Sequence, residues 1–412
     1  MKVPEGWRET RLSKINKLVT SGSRGWASYY SDTGNPFIRI TNLRRDNINP
    51  DYSDLKFVKL PNGMNEGTRT ALHAEDILIS ITADLGIIGF IESEPDIPSY
   101  INQHIALVRL NNKKAYPKFA AFLLASPYFQ TRIKRMNDAG AKAGLNLSTI
   151  RSIPLHFPPF PEQKKIAEIL STWDQAIETV EKLIANSQAQ KKALMQQLLT
   201  GKKRLPGFNG EWDFKRIDQI SNRITRRNDG EKYPVLTISS TSGFVRQDEK
   251  YSRFMAGESL ENYIVLSNGE FAYNKGNSKT YEFGCVFDLE AYPKALVPHV
   301  YVCFKLNPGL SHRFYKTLFE ADYLRPQLRR LVNTGVRNNG LLNITPKEFL
   351  RTIVPVPPAE EQEAIASAME TSTNIIQSLN LSLRNLRSEK SALMQQLLTG
   401  KRRVKIEEEK IA

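Results

Sequence analysis

The chain has few of the features that assign proteins to several common classes. Its 412 residues include only two cysteines, Cys285 and Cys303, which argues against a disulfide framework or a cysteine zinc site and fits a reducing compartment. The longest apolar stretch, ILISITADLGIIGFI at 77–91, is too short to span a membrane and is interrupted by Asp84. The N-terminal MKVPEGWRETRLSK has no apolar core typical of a signal peptide. We therefore expect a cytoplasmic protein that has no membrane partner.

Motifs for catalysis and cofactor binding are missing as well. The TGKK segment at 200–203 has Gln196 where a phosphate-binding loop requires its first glycine, and no G-x-G-x-x-G sequence follows a strand. FPPF at 157–160 is close to the tetrapeptide of amino-methyltransferases, but Phe157 cannot accept the hydrogen bond that the target amine donates there. The five histidines, at positions 73, 104, 156, 299 and 312, lack metal-ligand spacing. We expect no catalytic residue, metal site or cofactor in this chain.

What the chain has in excess is positive charge. Lysine and arginine total 58 against 43 acidic residues, which gives a formal net charge of +15 and a pI of about 9.6. A surplus of this size usually matches a polyanionic partner, most often nucleic acid, although some proteins are basic without one. Hydrophobic residues make up 40% of the chain, enough for packed cores, and a chain of this length usually folds into two or three domains.

The sequence contains an internal repeat. The decapeptide ALMQQLLTGK occurs at 193–202 and again at 392–401, an offset of 392 − 193 = 199 positions. The same offset aligns PPFPEQKKIAEIL at 158–170 with PPAEEQEAIASAM at 357–369, and each of these segments leads to a decapeptide without a gap. The two halves therefore keep their ends constant while their middles vary.

Apolar residues in the constant segments recur on alternating steps of four and three, the a/d pattern of a coiled coil. Prolines precede each run, and Thr-Gly at 200–201 and 399–400 follows it, as expected at helix starts and stops. The pattern predicts two helices, each about 37 residues and about 55 Å long, which is longer than a domain of about 150 residues is wide. We therefore favour an intramolecular antiparallel coiled coil over packing of each helix on its own domain. Lys191 and Lys390 take matching seam positions, from which we expect them to reach toward solvent and help to fix the register. The predicted seam consists of Ile166, Leu170, Trp173, Ile177, Val180, Ile184, Leu194 and Leu198, and of Ile365, Met369, Ile376, Leu379, Leu383, Leu386, Leu393 and Leu397.

Each half also contains a variable region of short β-type runs separated by polar loops, followed by a helical stretch at 119–136 or 313–332. This order indicates two tandem β-rich α+β domains, which antiparallel helices would place at opposite ends about an approximate two-fold axis. PFIRITNL at 36–43 resembles YPVLTISS at 233–240, and Trp7 aligns with Trp212. The predicted strands are 37–41, 77–81, 87–91 and 105–110, then 235–239, 270–274, 284–289 and 300–306. The predicted organisation is 1–157 for domain 1, 158–204 for a central conserved helix, 205–356 for domain 2, 357–403 for a C-terminal conserved helix and 404–412 for a charged tail.

Basic, amide and aromatic side chains are concentrated in the loops of both variable regions. Arginine can pair with two atoms of guanine and asparagine with two atoms of adenine, whereas lysine mainly contacts phosphates. Any one of these side chains could equally be a solvated loop residue, but their concentration in both regions of a basic chain favours DNA. The predicted DNA-binding residues are Arg24, Trp26, Tyr29, Tyr30, Asn42, Arg44, Arg45, Lys142 and Asn146 in the first region, and Arg223, Arg226, Arg227, Asn274, Lys275, Asn277, Lys279, Arg337, Asn338 and Asn339 in the second.

The chain resembles the specificity subunits of bacterial type I restriction–modification enzymes. The resemblance rests on the repeated ALMQQLLTGK, on the Pro-Pro-x-x-Glu-Gln starts at 158–163 and 357–362, and on LPGFNGEW at 205–212, and it covers essentially the whole chain. It implies a non-catalytic subunit whose two target-recognition domains each read one half of a bipartite site in double-stranded DNA, while the helices set the gap. It also implies two modification subunits for N6-adenine methylation and two restriction subunits for ATP-dependent cleavage. S-adenosylmethionine, ATP and Mg would be bound by those partners, and the base-reading residues are not transferable because they vary among such subunits.

Other functions stay open from the residues alone. A standalone sequence-specific DNA-binding protein would need no enzyme partner, a methyltransferase would need a cofactor motif that we do not find, and a coiled-coil scaffold would leave the basic loops unexplained. Two identical partner subunits on one chain would need the same surface twice. We therefore hypothesise that 193–202 and 392–401 shape equivalent docking or register elements.

Overall fold

The structure, a computed structural model, describes residues 3–61, 67–138, 145–250, 260–276, 278–332 and 341–406. The chain divides into two compact units, the first comprising Met1–Lys182 and Asn380–Ala412 and the second Leu183–Leu379. Each unit thus combines one variable region with parts of both constant segments. Within the described ranges, no helix combines the length and hydrophobicity that crossing a bilayer requires.

The first variable region is an α+β domain. Its strands are β1 (Arg8–Arg11), β2 (Asn16–Ser21), β3 (Tyr30–Ser31), β4 (Asn35–Ile38), β5 (Lys56–Val58), β6 (Ile77–Ser80), β7 (Ile88–Phe90), β8 (Tyr100–Ile101), β9 (Ile105–Leu110) and β10 (Pro154–Phe157). Its helices are α1 (Leu12–Ile15), α2 (Pro117–Ala125), α3 (Pro127–Asp138) and α4 (Leu147–Ser152), and the long helix α5 (Phe160–Leu198) follows. The central sheet has the order β2-β9-β6-β7, a second sheet has the order β3-β5-β4-β8, and β1 pairs with β10.

Both faces of the central sheet are covered, as the near-continuous apolar runs of its strands predict. Alternate residues of β6 point to opposite faces: Ile77 and Ile79 join a core that includes the helical residue Phe119, whereas Leu78 joins a core with Ile38 on the other face. The apolar runs predicted as strands at 77–81, 87–91 and 105–110 therefore form the centre of the domain.

The second variable region repeats the central sheet of the first, but in place of the second four-stranded sheet it has two two-stranded sheets, β13-β14 and β15-β18. Its central sheet has the order β12-β19-β16-β17, which matches β2-β9-β6-β7 strand for strand, and β11 pairs with β20 as β1 pairs with β10. The strands are β11 (Asp213–Arg216), β12 (Ser221–Ile224), β13 (Leu236–Ser239), β14 (Gly243–Arg246), β15 (Ile264–Ser267), β16 (Phe271–Asn274), β17 (Cys285–Asp288), β18 (Lys294–Val297), β19 (Val302–Leu306) and β20 (Ile353–Val356). The helices are α6 (Ile217–Ile220), α7 (Gln247–Lys250), α8 (His312–Glu320), α9 (Arg325–Leu331) and α10 (Pro346–Leu350), followed by α11 (Ala359–Leu397).

Each predicted helical stretch after the strands is interrupted. In the first region the break falls at Ser126, where Pro127 begins a new helix because proline fits a first helical turn but lacks the N–H that a helix interior needs. In the second region, Asp322 adopts a φ of 56°, which ends one helix before Arg325 starts the next. The single stretches expected at 119–136 and 313–332 are therefore wrong in this respect.

The long helices α5 and α11, of 39 residues and about 58 Å each, run antiparallel in the first unit. Asp174 of α5 pairs with Lys390 of α11, and Glu181, further along α5, lies 2.7 Å from Arg387, which comes earlier in α11. Lys390 does not extend toward solvent as expected, because its ammonium is buried against the Asp174 carboxylate.

The second unit has the same antiparallel arrangement. Lys191 Nζ of α5 donates a hydrogen bond to Thr373 Oγ1 of α11 at 2.8 Å, and Arg204, which follows α5, binds Glu361 near the start of α11. The predicted fold class, two β-rich α+β domains combined with an antiparallel helix pair, is confirmed. Each predicted seam side chain on the two helices is buried or half-buried.

The Glu-Gln pair that begins each long helix is buried and tied to its surroundings. Arg403 holds Glu162 with two hydrogen bonds of 2.7 Å, and Arg204 holds Glu361 in the same way in the second unit. Gln163 Oε1 accepts the Tyr116 amide at 2.8 Å. Gln362 does the same for Ser311, also at 2.8 Å. The repeated motif is therefore explained by the same buried contacts made twice.

The two decapeptides supply apolar residues to the domain cores. Met394, Leu397 and Leu398 of the second decapeptide pack into the core of the first domain, and Leu198 and Leu199 of the first decapeptide pack into that of the second domain. The second decapeptide thus completes the core of the first variable region. The first decapeptide completes the core of the second variable region.

The glycines that follow the decapeptide leucines end the helices as predicted. Gly400 has a φ of 69° and lies where a Cβ would meet Pro4 at 2.6 Å. Gly201, at a φ of 68°, lies where a Cβ would meet the Trp212 ring at 3.1 Å, a looser but still close approach. Both the backbone conformation and the close approach require glycine.

Candidate nucleic-acid interface

One edge of the β2-β9-β6-β7 sheet collects loops of the first domain. Since β9 runs antiparallel to both β2 and β6, the ends of β2 and β6 and the start of β9 lie at the same edge. The Gly22 amide donates to the Ile105 carbonyl at 3.3 Å, and the Leu145 amide donates to the Ile81 carbonyl at 3.1 Å. These hydrogen bonds bring the loop after β2 and the segment before α4 to that edge.

The loop after β2 carries four predicted DNA-binding residues, which differ in exposure. Arg24 is exposed and Tyr30 is 47% exposed, so both can meet a ligand. Trp26 is buried and stacks on Tyr100 with ring centroids 5.3 Å apart, and half-buried Tyr29 packs edge-on against it. Trp26 therefore supports the loop as part of a small aromatic core.

The three predicted residues after β4 are engaged within the protein. Asn42 is buried, and its amide group accepts the Arg39 amide at 2.9 Å and donates to a backbone carbonyl at 2.9 Å. Arg44 forms two hydrogen bonds of 3.0 Å with the Asp46 carboxylate, and these raise the pKa of Arg44. Burial by itself would raise the pKa of Asp46, but the contacts with Arg44 outweigh burial and lower that pKa. Arg45 pairs with Asp84. These contacts give all three residues a role that needs no DNA.

The predicted residues of the glycine-rich segment are only partly described. Asn146 is exposed and caps α4, where its Oδ1 accepts the Thr149 amide at 2.8 Å. Lys142 lies outside the described residues.

The second domain presents the equivalent sheet edge. Because β19 runs antiparallel to β12 and β16, the loop after β12, the loop after β16 and the start of β19 share one edge. The Leu342 amide donates to the Lys275 carbonyl at 2.9 Å, and Gly276 forms a bridge with Leu341. The segment from 341 onward, which follows the predicted residues Arg337, Asn338 and Asn339, thus joins the loop after β16.

Three predicted arginines lie at or near the end of β12. Arg223 and Arg227 are exposed. Arg226 is tied to the protein: it binds the buried Glu270 carboxylate and donates to Ser267 Oγ at 3.2 Å. We therefore regard Arg223 and Arg227 as better candidates for DNA contact than Arg226.

The loop after β16 holds the remaining candidates. Asn274 accepts the Gly276 amide at 3.0 Å, which shapes the turn; Lys275 is half-buried and Lys279 is exposed. Asn277, Arg337, Asn338 and Asn339 lie outside the described residues.

The structure also brings polar residues to the first edge that the sequence analysis did not select. Thr82 Oγ1 lies 2.5 Å from His104 Nδ1, and Gln103 Nε2 lies 2.9 Å from the other ring nitrogen of His104. Arg69 is exposed and donates to the Ser21 carbonyl at 3.1 Å, directly before the Arg24 loop. A signal for Gln103 and His104 was available, since they immediately precede a predicted strand.

The arrangement defines a class of protein with a duplicated recognition module. In each copy, loops with basic and amide side chains lie at one edge of the central sheet, and residues of the two long helices complete the core. The family model for the type I restriction modification DNA specificity domain matches this chain twice, at residues 4–186 and 209–385. The chain belongs to this family.

Similar proteins cover nearly the whole chain. The putative type I restriction enzyme MjaX specificity subunit of Methanocaldococcus jannaschii is 25% identical over 98% of this chain and 95% of its own length. The EcoKI specificity subunit of Escherichia coli K12 is 24% identical over 90% of this chain and 82% of its own.

Solved structures share the fold. The HsdS subunit from Thermoanaerobacter tengcongensis has a TM-score of 0.52 at 16% identity, covering 97% of this chain and 98% of that one. The type I S subunit from M. genitalium has a TM-score of 0.56 at 14% identity, covering 96% of each chain.

Proposed function

We propose that this chain is the DNA-specificity subunit of a type I restriction–modification complex. Each domain reads one half of a bipartite site in double-stranded DNA with the loops at its sheet edge, and the helices set the gap between the halves. The proposal rests on one observation: both domains present the same edge of the same central sheet with exposed arginines on it. These arginines are Arg24 in the first domain and Arg223 and Arg227 in the second, and the chain has a net charge of +15.

Exposed arginines on the loops of two separate modules fit a site with two unlike halves. Exposed arginine can select guanine through two hydrogen bonds, and the loop sequences of the two domains differ, so each domain selects its own sequence. Phosphate contacts by lysines such as Lys279 add affinity that does not depend on sequence.

The chain itself is proposed to be non-catalytic and to recruit its enzymes. Two modification subunits for N6-adenine methylation and two restriction subunits for ATP-dependent cleavage would assemble on it, and S-adenosylmethionine, ATP and Mg would be bound in those subunits. One similar solved chain comes from work on complex assembly in the type I R-M system. It has a TM-score of 0.57 at 15% identity, covering 97% of this chain and 99% of that one.

The decapeptides support a pair of identical docking surfaces. Their leucines are buried, but Gln196 and Gln197 in the first copy and Gln395 and Gln396 in the second are exposed. Core packing does not account for identical exposed residues, whereas binding of the same subunit twice does.

Mapping of N6-methyladenine across the genome, in cells with and without this gene, tests the proposal. We expect a single bipartite, asymmetric methylation motif to disappear with the gene and to return when it is restored. An unchanged methylation pattern would reject the proposal, and S-adenosylmethionine binding by the pure chain would instead support a methyltransferase.

A further inference from the structure

A cluster of six charged residues joins the loop after β4 to both long helices in the first unit. The cations are Arg44, Arg387 and Lys390, and the anions are Asp46, Asp174 and Glu181. Their formal charges cancel, and each of the six forms an ion pair with another member. We call this set the Asp46 cluster.

Asp46 is the residue at which loop and helix meet. Its carboxylate accepts Arg387 Nη2 at 3.2 Å, and its backbone carbonyl accepts Lys390 Nζ at 3.2 Å. Arg44 reaches the other helix, since its Nη2 lies 3.4 Å from Glu181 Oε1. One loop of the domain therefore contacts α5 and α11 together.

The same loop is also fixed to the central sheet of its domain. Arg45 binds Asp84 and donates to the Leu85 carbonyl at 2.9 Å in the turn between β6 and β7. The Phe90 amide of β7 donates to the Ile48 carbonyl at 2.8 Å. The β6–β7 turn lies at the edge of the central sheet where the predicted DNA-binding loops of the first domain meet. The loop after β4 therefore connects that edge with α5 and α11.

In the described part of the second unit, no equivalent cluster lies at this place. The aligned positions of Arg44, Arg45 and Asp46 are Thr241, Ser242 and Gly243. Among the described residues, no hydrogen bond or ion pair joins residues 240–244 to α5 or α11, and a cleft of about 550 Å³ lies between them and Lys191. The two domains are therefore held differently on helices that are otherwise alike.

We propose that Asp46 and Arg387 are positioning residues: the Asp46 cluster fixes the orientation of domain 1 on the helix pair, so that the first half-site is accepted at one spacing only. This inference rests on the proposed function. One added base pair moves a half-site by about 3.4 Å along the helix axis and rotates it, so a rigidly held domain rejects it and a loosened domain accepts it.

The test uses the full chain purified with its modification subunits. Methylation rates are measured on duplexes that carry the cognate gap or a gap one base pair longer or shorter. Asp46→Asn and Arg387→Met should each lower the discrimination between cognate and altered gaps by about tenfold or more, up to the roughly hundredfold loss that a misplacement near 1 Å can cause. The double variant should lose less than the two single losses combined, because both substitutions break the Asp46–Arg387 contact. Arg384→Met is the matched control: it removes the same charge from an exposed position one turn away on α11 and should leave discrimination unchanged.

The alternatives predict different results. If Arg387 contacts phosphate, Arg387→Met should weaken binding at all gaps equally and lower the salt slope by about one, which would overturn the proposal. Additive effects of the two substitutions would overturn it as well.

Hydrogen exchange separates this inference from the proposed function. If the wild-type complex shows no bipartite specificity, the proposed function fails, but faster amide exchange at 44–48 in Asp46→Asn than in Arg384→Met would still support the cluster. Unchanged exchange in Asp46→Asn would overturn it.

Discussion

Substitution of Lys390 by methionine should destabilise the first unit strongly. The Lys390 ammonium and the Asp174 carboxylate pair where their side chains are only 7% and 4% exposed. Lys390→Met leaves a buried carboxylate without its hydrogen-bonded cation, which typically costs about 3–5 kcal/mol. With a urea dependence of about 2 kcal/mol per molar, the unfolding midpoint should fall by about 2 M.

Tryptophan fluorescence gives a direct assay of this loss. Three of the four tryptophans, Trp7, Trp26 and Trp173, belong to the first unit, so the signal during urea unfolding is dominated by that unit. Lys191→Met is the matched control from the second unit. It removes a single hydrogen bond to Thr373, whose hydroxyl still donates to the Met369 carbonyl at 2.9 Å, and it should cost about 1 kcal/mol.

The pH dependence has a defined sign. Burial raises the pKa of Asp174, and Lys390 opposes this increase. Without Lys390, the pKa of Asp174 in the folded protein rises further above its unfolded value of about 3.9. The variant therefore loses stability as the pH rises from the unfolded pKa of Asp174 to its folded pKa, and it regains that stability when the pH falls below the unfolded pKa. The difference from wild type should therefore be smaller at pH 4 than at pH 7.5.

A double substitution provides the remaining control. Lys390→Met with Asp174→Leu removes both charges and should be close to wild type in stability. The reasoning is refuted if Lys390→Met costs less than about 1 kcal/mol, or no more than Lys191→Met, because the carboxylate would then tolerate burial alone.

Further predictions concern the helix ends, the DNA loops, the helix length and a thiol. Gly400→Ala should lower stability by about 1–3 kcal/mol in urea unfolding, since it combines a left-handed φ with a clash at Pro4, and by more than Gly207→Ala, where a Cβ meets nothing within 4 Å. Lys275→Met with Arg337→Met should weaken recognition of the second half-site alone; equal loss at both half-sites in methylation mapping would contradict this assignment. Deletion of one heptad from α5 and one from α11 shortens the pair by about 10 Å and should shorten the recognised gap by about three base pairs, so an unchanged motif would exclude the helices as its determinant. Burial raises the pKa of the Cys303 thiol to about 12, so this thiol should resist alkylation at pH 8 until the chain is unfolded; rapid labelling of the folded chain would contradict its burial.

The long helices and the central strands were predictable from the sequence because each depends on a pattern of many residues. The heptad pattern gave both long helices, which begin at Phe160 and Ala359, close to the prolines that were read as start signals. The apolar runs gave the central strands. The helical stretch at 119–136 was wrong because a proline such as Pro127 both ends one helix and fits the first turn of another, and composition does not distinguish the two.

Contacts between distant residues were not predictable in this way. Asp174 lies 390 − 174 = 216 positions from Lys390, and no local pattern pairs them. Asn42 and Arg44 have the residue types that read DNA, and their internal partners became visible only in the fold. The DNA-binding list therefore stays a prediction, and the exposed members that the fold favours include Arg24, Arg223, Arg227 and Lys279.

The placement of the second decapeptide has a consequence for how the protein is made. Met394, Leu397 and Leu398 complete the hydrophobic interior of a domain whose own sequence ends near residue 157, so the ribosome must add 398 − 157 = 241 more residues before that interior can close. A nascent chain therefore carries an unfinished amino-terminal domain until residues 394–398 have been synthesised. A stop codon before position 398, although far from the amino-terminal domain in the message, would therefore leave that domain without part of its interior.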